Sequence, residues 1–452
     1  MADLINGEVP DHWEFTTLGK VCQRGGGNIQ TGPFGSQLHA SDYVPVGVPS
    51  IMPTNIGENR IVEDGIVRIT EDDANRLGQH RLRAGDIVYS RRGDVEKRAL
   101  IREREEGWLC GTGCLKVRLG FGVVDPLFAS LFLGHPAIRE WIVRHAVGAT
   151  MPNLNTSIMS AVPFALPPLA EQKAIAAVLG ALDDKIELNR RMNATLEAMA
   201  QALFQSWFVD FDPVRANLDG RPPGAFDPAT AALFPATFQD SPLGPIPHGW
   251  EVCPLSEKIQ LLSGGTPKTS EPTYWDGDIP WYTVRDAPSE TDVWVVHTDK
   301  HVTKLGIANS AAQVFPEKTT IISARGTVGK LALTAVPMAM NQSCYGVRGI
   351  RGYGDYFTYY SLREATAQLQ QRTHGTVFDT ITTETFKTLD CIFPAPGIIA
   401  AFDELVQPLL GQILANVHQS RTLGTLRDTL LPKLLSGELR VAGFEAKLDS
   451  AQ

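Results

Sequence analysis

Residues 169–208 read LAEQKAIAAVLGALDDKIELNRRMNATLEAMAQALFQSWF, a stretch with no internal proline and its large apolar residues on one stripe. Ile175, Leu179, Leu182, Ile186, Asn189, Asn193, Leu196, Ala200, Leu203 and Trp207 follow alternating steps of three and four. That spacing is a coiled-coil seam with two polar layers at its middle. At 1.5 Å per residue the helix would run about 60 Å, longer than one globular domain needs. Asp210 and Pro213 should end it. A seam this long needs a partner, and a shift of 227 residues supplies one. It lands on Phe402, Val406, Leu409, Ile413, Asn416, Ser420, Leu423, Arg427, Leu430 and Leu434. The chain therefore carries the same helix twice, and the second copy contains Pro408 and Pro432, which should kink or shorten it.

Outward from the helices, the flanking modules are also duplicated. Trp13-Glu14 with Leu18 returns as Trp250-Glu251 with Leu255. Ser90-Arg91-Arg92-Gly93 returns as Ser323-Ala324-Arg325-Gly326, Gly113-Cys114 as Ser343-Cys344, and Gly148 and Pro167 as Gly375 and Pro394. The offset falls steadily along the chain, as small loop deletions in the second copy would produce. Framework turns match while the loops between them diverge, so one fold presents two different surfaces. Each module reads as mixed α/β, with short strands such as Ile87–Ser90 and Leu115–Leu119 between Gly-rich turns at 25–27 and 32–36. Residues 126–145 read as helix. The boundaries expected are a first module at 1–168, a first long helix at 169–210 and a Pro-rich linker at 211–248. A second module at 249–396, a second long helix at 397–437 and a tail at 438–452 follow. Residues 209–248 hold eight prolines and no sustained period, which marks a linker or a wrapped connection.

If the second helix packs on the first it must run back antiparallel. The two modules then lie at opposite ends of a rod with an approximate two-fold axis, and Asn189 falls near Asn416. A buried Asn pair weakens a coil but fixes its register; the plain alternative leaves both side chains in solvent or against a partner. Leu203, Phe204, Trp207 and Phe208 exceed what a two-helix seam requires, so they are expected either to bind a partner's helices or to pack under their own linker.

Composition narrows the class. Charged residues make up 20% and hydrophobic residues 43%, a globular and not a disordered balance. No run of eighteen consecutive apolar residues occurs, so no membrane span is expected, and residues 1–13 lack the pattern of a signal peptide. The six cysteines are scattered apart from Cys110 and Cys114, which reads as reduced cytoplasmic thiols and no metal site. A net charge of −9 argues against indiscriminate nucleic-acid binding. The charge is uneven, however: residues 76–104 hold nine Arg or Lys against four Asp or Glu, and residues 169–248 hold six against ten.

Two unlike readers on a rod suit duplex DNA, which repeats every ~34–36 Å and is read by paired modules at spaced half-sites. At this point particular residues carry a resemblance. The two Trp-Glu openings, Gly-Pro-Phe-Gly-Ser-Gln-Leu at 32–38 and Pro-Pro-Leu-Ala-Glu-Gln-Lys-Ala-Ile at 167–175 are joined by two further runs. These are Leu-Phe-Gln-Ser-Trp-Phe-Val-Asp-Phe-Asp-Pro-Val at 203–214 and Leu-Leu-Pro-Lys-Leu-Leu-Ser-Gly-Glu-Leu at 430–439. Together they resemble the specificity (S) subunit of type I restriction-modification enzymes over nearly the whole chain. The resemblance implies two target-recognition domains separated by two long antiparallel coiled-coil helices, each domain reading half of an asymmetric bipartite site in double-stranded DNA. It also implies docking of two methyltransferase subunits on the helices and, with motor-nuclease subunits, a restriction complex. The apparently short second helix and the poorly matched loop Gly264-Gly265-Thr266-Pro267 depart from the pattern.

Base-edge reading needs Arg, Lys, Asn, Gln, Ser and Thr on loops, with further cations on phosphates. The candidates are Thr31, Ser36, Gln37, Arg91, Arg92, Asn153 and Asn155 in the first module. Thr266, Lys268, Arg325, Lys330 and Thr376 are their counterparts in the second. Lys97, Arg98, Arg102 and Arg104 are candidate phosphate contacts. For each one alone, a solvated surface residue is the competing interpretation. Gly326-Thr-Val-Gly-Lys330 imitates a phosphate loop, but its glycine spacing fails and Leu331 stands where a Ser or Thr would hold magnesium. No nucleophile–base set, methyltransferase motif or nuclease carboxylate stands out, so no catalytic residue, no metal and no cofactor of its own is expected. S-adenosylmethionine, ATP and magnesium would belong to partner subunits. The rival reading is a scaffold whose duplicated modules bind proteins and not DNA.

Overall fold

The computed structural model describes residues 10–148, 150–221, 228–372 and 380–441, with side chains 368–372 left aside. The chain divides into two compact units, Met1–Asp184 with Leu423–Gln452, and Lys185–Thr422. Both divisions fall inside a long helix, so each unit is a module together with a segment of each helix.

In the first unit, Glu14–Thr17 pairs antiparallel with Pro163–Leu166 and joins the module's two ends. A four-stranded antiparallel sheet follows, in the order Gly26–Thr31, Cys114–Gly120, Ile87–Ser90, Arg98–Leu100. The expected Gly-rich turn falls at Gly25–Gly26, where Gly26 has a φ of 74° and opens the first of these strands. A Cβ at Gly27 would lie 1.9 Å from the Arg118 carbonyl, so the glycine permits close strand pairing. A second sheet runs Tyr43–Val44, Val67–Ile69, Val48–Ile51, Leu109–Cys110, its last pair parallel. The helical stretch at 126–145 breaks into Pro126–Leu133 and Pro136–His145, because Gly134-His135 ends one helix and Pro136 begins the next. Phe128, Phe132, Ile138 and Ile142 share one core with Tyr89, Leu115 and Val117.

The second unit repeats this plan. Glu251–Pro254 pairs with Asp390–Phe393. The main sheet runs Ile259–Ser263, Cys344–Gly349, Thr320–Ser323, Leu331–Thr334, Trp294–Val295, and the smaller one Lys300–Val302, Trp275–Tyr282, Ala339–Met340. Here too the last pair of the small sheet is parallel. The fold class is therefore mixed α/β with an internal repeat.

The long helices are Leu169–Phe208 and Pro396–Leu435, 40 residues each. The second is thus neither shortened nor ended by its prolines. Pro408 lies on the exposed side together with Glu404, whose carbonyl loses its helical partner and is left to water. Pro432 sits in the last turn, where its carbonyl accepts from the Ser436 amide at 2.9 Å. This helix is long and apolar enough to cross a membrane by composition alone, with a mean hydropathy of 1.4 over its best window. A buried core helix passes the same test. Its stripe of Phe402, Val406, Leu410 and Ile413 is buried in the core of the second unit.

Within each unit the helix segments run antiparallel. In the first, Arg427 donates to Asp183 at 2.8 Å, and Ile175, Leu179 and Leu434 share the module core. In the second, Trp207 packs on Phe402, and the polar layer lies fourteen residues further in on both helices. There Asn189 Nδ2 donates to Ser420 Oγ at 3.1 Å and to Gln419 Oε1 at 2.9 Å, and reaches the Asn416 carbonyl at 3.4 Å. Asn416 Nδ2 donates to Asn193 Oδ1 at 2.9 Å. Asn189 and Asn416 do touch, but the amide-to-amide bond is the one with Asn193. The step of 227 residues carries Asn189 onto Asn416 and Asn193 onto Ser420, so these two bonds are copies of one contact about a local two-fold. All three asparagines are buried.

Two pairs of alternatives are decided here. The segment after the first helix is only in part a linker. Phe211 adopts a left-handed backbone and starts a helix at Asp212–Leu218, and a two-strand turn joins Phe238-Gln239 to Ile246-Pro247. Phe211, Val214, Phe234 and Ile246 are buried, so the connection wraps its own unit. Correspondingly, Phe204, Trp207 and Phe208 do not face outward. Trp207 is 0% exposed, with ring centroids of Phe234 at 4.9 Å and Phe402 at 6.1 Å, and Leu203 is half-buried against the same core. Their excess over the seam is consumed by aromatic residues distant in sequence, Phe234, Trp250, Phe357 and Phe402. Phe204, Trp207 and Phe208 are core residues, and Leu203 keeps only part of its surface outside the core.

Candidate nucleic-acid interface

The Gly-rich loop, the arginine turn and the segment before the closing strand converge in the first unit through one short turn, Gly111–Cys114. The Gly32 amide donates to the Cys114 carbonyl at 2.9 Å, and the Arg91 amide donates to the Gly113 carbonyl at 2.8 Å. The Leu154 amide donates to the Arg91 carbonyl at 2.9 Å, while Arg92 and Asn153 form an isolated antiparallel bridge. Thr31, Arg91, Arg92, Asn153 and Asn155 are thereby brought to one end of the module from three separate parts of the chain. Ser36 and Gln37 extend the same loop. Gln37 Oε1 accepts from the Phe34 amide at 3.1 Å, and the Phe34 carbonyl accepts from the Gln37 amide at 2.8 Å.

The second unit builds a similar junction on Met340–Cys344. The Gly265 amide donates to the Met340 carbonyl at 2.9 Å, and Thr266 Oγ1 bonds Gln342 Oε1. The Ala324 amide donates to the Ser343 carbonyl at 2.8 Å, and the Ile381 amide to the Ala324 carbonyl at 3.0 Å. Thr266, Arg325 and Lys330 come together accordingly, and Lys268 is exposed on the loop. Gln342, exposed beside Thr266, joins the candidates; sequence matching missed it because its counterpart is Thr112. Thr376 lies outside the described residues.

The two arginine turns are closer copies than their first four residues indicate. Ser90, Arg92, Gly93, Val95 and Lys97 match Ser323, Arg325, Gly326, Val328 and Lys330, all at one offset. In both, the serine amide donates to the lysine carbonyl, at 3.0 and 2.9 Å, and the glycine has positive φ, 74° and 79°. Only glycine adopts that conformation without strain, and it turns the arginine outward. The imitation of a phosphate loop at Gly326–Lys330 is thus the second copy of this turn. Arg92, Lys97, Arg325 and Lys330 are all exposed. They differ in their surroundings: Lys97 is paired with Asp94 at 2.7 Å and Glu96 with Arg139 at 3.0 Å, whereas Thr327 and Gly329 replace both acids in the second turn.

Several candidates do other work. Arg98 is 9% exposed, and its Nε donates to the Ser130 carbonyl at 2.6 Å in the last turn of the helix Pro126–Leu133. A guanidinium at that end satisfies carbonyls that the helix leaves open, so it is not a phosphate contact. Burial lowers its affinity for the proton, yet an arginine keeps its charge. Arg102 is paired with Asp184 at 3.5 Å, and Arg104 with Glu105 at 2.6 Å, so neither stands as an unneutralised cation. Asn155 caps the helix Thr156–Ala161 by accepting from the Ile158 amide at 2.8 Å, which leaves only its Nδ2 for a ligand. Arg91 Nε is bonded to the Leu154 carbonyl at 3.2 Å and positions the turn.

Each module is anchored on its helix segments by polar groups. Arg427 bridges Asp183 and, at 3.6 Å, Glu58 in the first unit. In the second, Asn193 Nδ2 donates to Asp292 at 2.9 Å, Trp294 Nε1 donates to the Leu410 carbonyl at 2.8 Å, and Arg363 pairs with buried Glu197. Burial pushes the Glu197 carboxyl up, and the arginine beside it pulls it back. Among the described residues no group of three or more His, Cys, Asp or Glu could hold a metal ion.

Comparison with known proteins agrees with this geometry. The family model described as type I restriction modification DNA specificity domain matches residues 10–198 and again 247–417, one match per module. The HindI specificity subunit of Haemophilus influenzae is 27% identical over 402 residues, covering 79% of this chain and 87% of that one. The MjaIX specificity subunit of Methanocaldococcus jannaschii is 25% identical over 441 residues, covering 96% and 95%. The S subunit from M. genitalium has the same fold, with a TM-score of 0.57 at 16% identity over 94% of this chain. With a DNA specificity domain matched twice, over most of its length, the chain belongs to the type I restriction-modification specificity subunits.

Proposed function

We propose that this chain reads a bipartite, asymmetric DNA site, one half with the junction around Arg92 and the other with the junction around Arg325. The observation that carries the reading is the duplicated turn: an identical backbone frame presents an exposed arginine and lysine twice, amid loops that differ. An invariant frame with variable loops is what two readers of unlike base sequences require. The acidic balance of the whole chain fits a subunit that leaves most phosphate neutralisation to others and so limits nonspecific binding. The chain is non-catalytic and holds no cofactor. Two methyltransferase subunits dock on the long helices, motor-nuclease subunits complete the assembly, and S-adenosylmethionine, ATP and magnesium serve those partners in the cytoplasm. The docking surface excludes Phe204, Trp207 and Phe208, which are buried.

The test is competitive binding. The chain, purified with its methyltransferase partner, should retain one duplex from a random pool against a large excess of competitor. Retention of no preferred sequence, with intact methyltransferase binding, would leave the protein scaffold as the function.

A further inference from the structure

Phe34 stands at the tip of the first unit's Gly-rich loop with 57% of its surface exposed. Its backbone is held from both sides. Its amide donates to Gln37 Oε1 at 3.1 Å, and its carbonyl accepts from the amides of Gln37 at 2.8 Å and Leu38 at 3.3 Å. Leu38 is buried in a small core with Ile69 and Leu109, which fixes the far end of the loop. The near end, Gly32, is clamped to the same Gly111–Cys114 turn that holds Arg91. The space beside Gly35, the next residue, is also open. Two more exposed apolar side chains, Val147 and Met151 at 62% each, flank Asn153, which bridges to Arg92. The corresponding loop of the second unit carries Thr266, Pro267, Lys268, Thr269 and Ser270, with no aromatic residue.

A phenylalanine exposed to water, its backbone hydrogen-bonded on a loop clamped to the same short turn as Arg91, is arranged to be covered when the ligand arrives. The ordering of its turn has been met in the folded state, so the ring's burial contributes to binding without that cost. We propose that Phe34 is an apolar wedge that inserts against the bases of the first half-site, unstacking one step, and that the second half-site is read without such a wedge. This rests on the DNA-reading function proposed above and adds an asymmetry to it. Aromatic insertion of this kind tolerates base identity at the wedge but selects steps that unstack readily.

The experiment uses the full chain with its methyltransferase partner and a duplex bearing its site, scanned with 2-aminopurine, whose fluorescence rises on unstacking. The wild-type complex should brighten at a first-half position, and Phe34→Ala should abolish that signal. Phe34→Ala should also lower affinity by roughly 10- to 100-fold, the change expected on losing one aromatic–base contact, with the salt slope unchanged. Phe34→Trp should retain most of both. Normal affinity and fluorescence in Phe34→Ala, while Arg92→Ala still weakens binding, would overturn the wedge and leave the DNA reading standing. If neither substitution matters, the DNA reading itself fails. Release of the methyltransferase by Phe34→Ala, with DNA affinity intact, would overturn the wedge in favour of a protein contact.

Discussion

Replacing Trp207 with alanine separates a core residue from a docking residue. The indole is fully buried and touches the rings of Phe208, Phe234 and Phe402, with centroids between 4.9 and 6.1 Å. Truncating a buried tryptophan costs about 3–5 kcal/mol, from lost transfer energy and the cavity left behind. Ring pairs add about 0.5–1.5 kcal/mol beyond area, which places this site at the upper end, about 4–5 kcal/mol. For a unit of this size each kcal/mol moves the midpoint by roughly 2–4 °C, so Trp207→Ala should unfold roughly 8–20 °C earlier. The loss should be confined to the second unit. Hydrogen exchange by mass spectrometry should show protection falling in strands such as Thr320–Ser323, while Ile87–Ser90 and Cys114–Gly120 keep theirs. Trp207→Phe, which keeps a ring in place, should recover most of the stability. An unchanged midpoint with methyltransferase binding lost would refute the burial argument and restore Trp207 as a contact residue.

Four further outcomes follow from single residues. Asp403 accepts from the Phe357 amide at 2.8 Å, and burial pushes its carboxyl up to about 6 against an ordinary value near 4. The folded state then holds its proton longer than the unfolded one, so stability falls as pH rises from about 4 to 6 and stays lower above that. Asp403→Asn keeps an acceptor and removes the charge. It should therefore stabilise the protein at pH 7.5 by up to about 3 kcal/mol, with the gain gone below pH 4 in thermal melts. Arg98→Met should destabilise the first unit by about 1.5–3 kcal/mol in urea titrations, the worth of a charge-assisted hydrogen bond, yet leave the salt slope of DNA binding unchanged. Lys330→Ala should reduce that slope by about one without loss of stability. Asn416→Ala removes the bonds to Asn193 and from Gln412, so the second unit should lose roughly 1–3 kcal/mol in the same titration.

The helices were legible because forty residues repeat one spacing twice, and few sequences do so by accident. The strand framework was partly legible, through Trp13 and Trp250, Leu18 and Leu255, all of them buried in matching places. What could not be read was which charge or ring would be buried. Arg98 and Arg92 are alike in a basic run, and only the helix end delivered by Ser130 distinguishes them. Trp207 resembled a docking residue because its partners Phe234 and Phe402 are distant in sequence. Pro408 marked a break by local rules, but its place on the exposed side let the helix continue. The converse also occurred, since the full match between the arginine turns lay in the sequence but was masked by its likeness to a phosphate loop.

Methylome sequencing of cells carrying the wild-type chain, Arg92→Ala or Arg325→Ala addresses the division of labour most directly. The account predicts a two-part motif with a fixed gap, in which each substitution relaxes or abolishes recognition through its own half while the other half and the gap stay the same. A single undivided motif, or both halves degraded alike by either substitution, would contradict it.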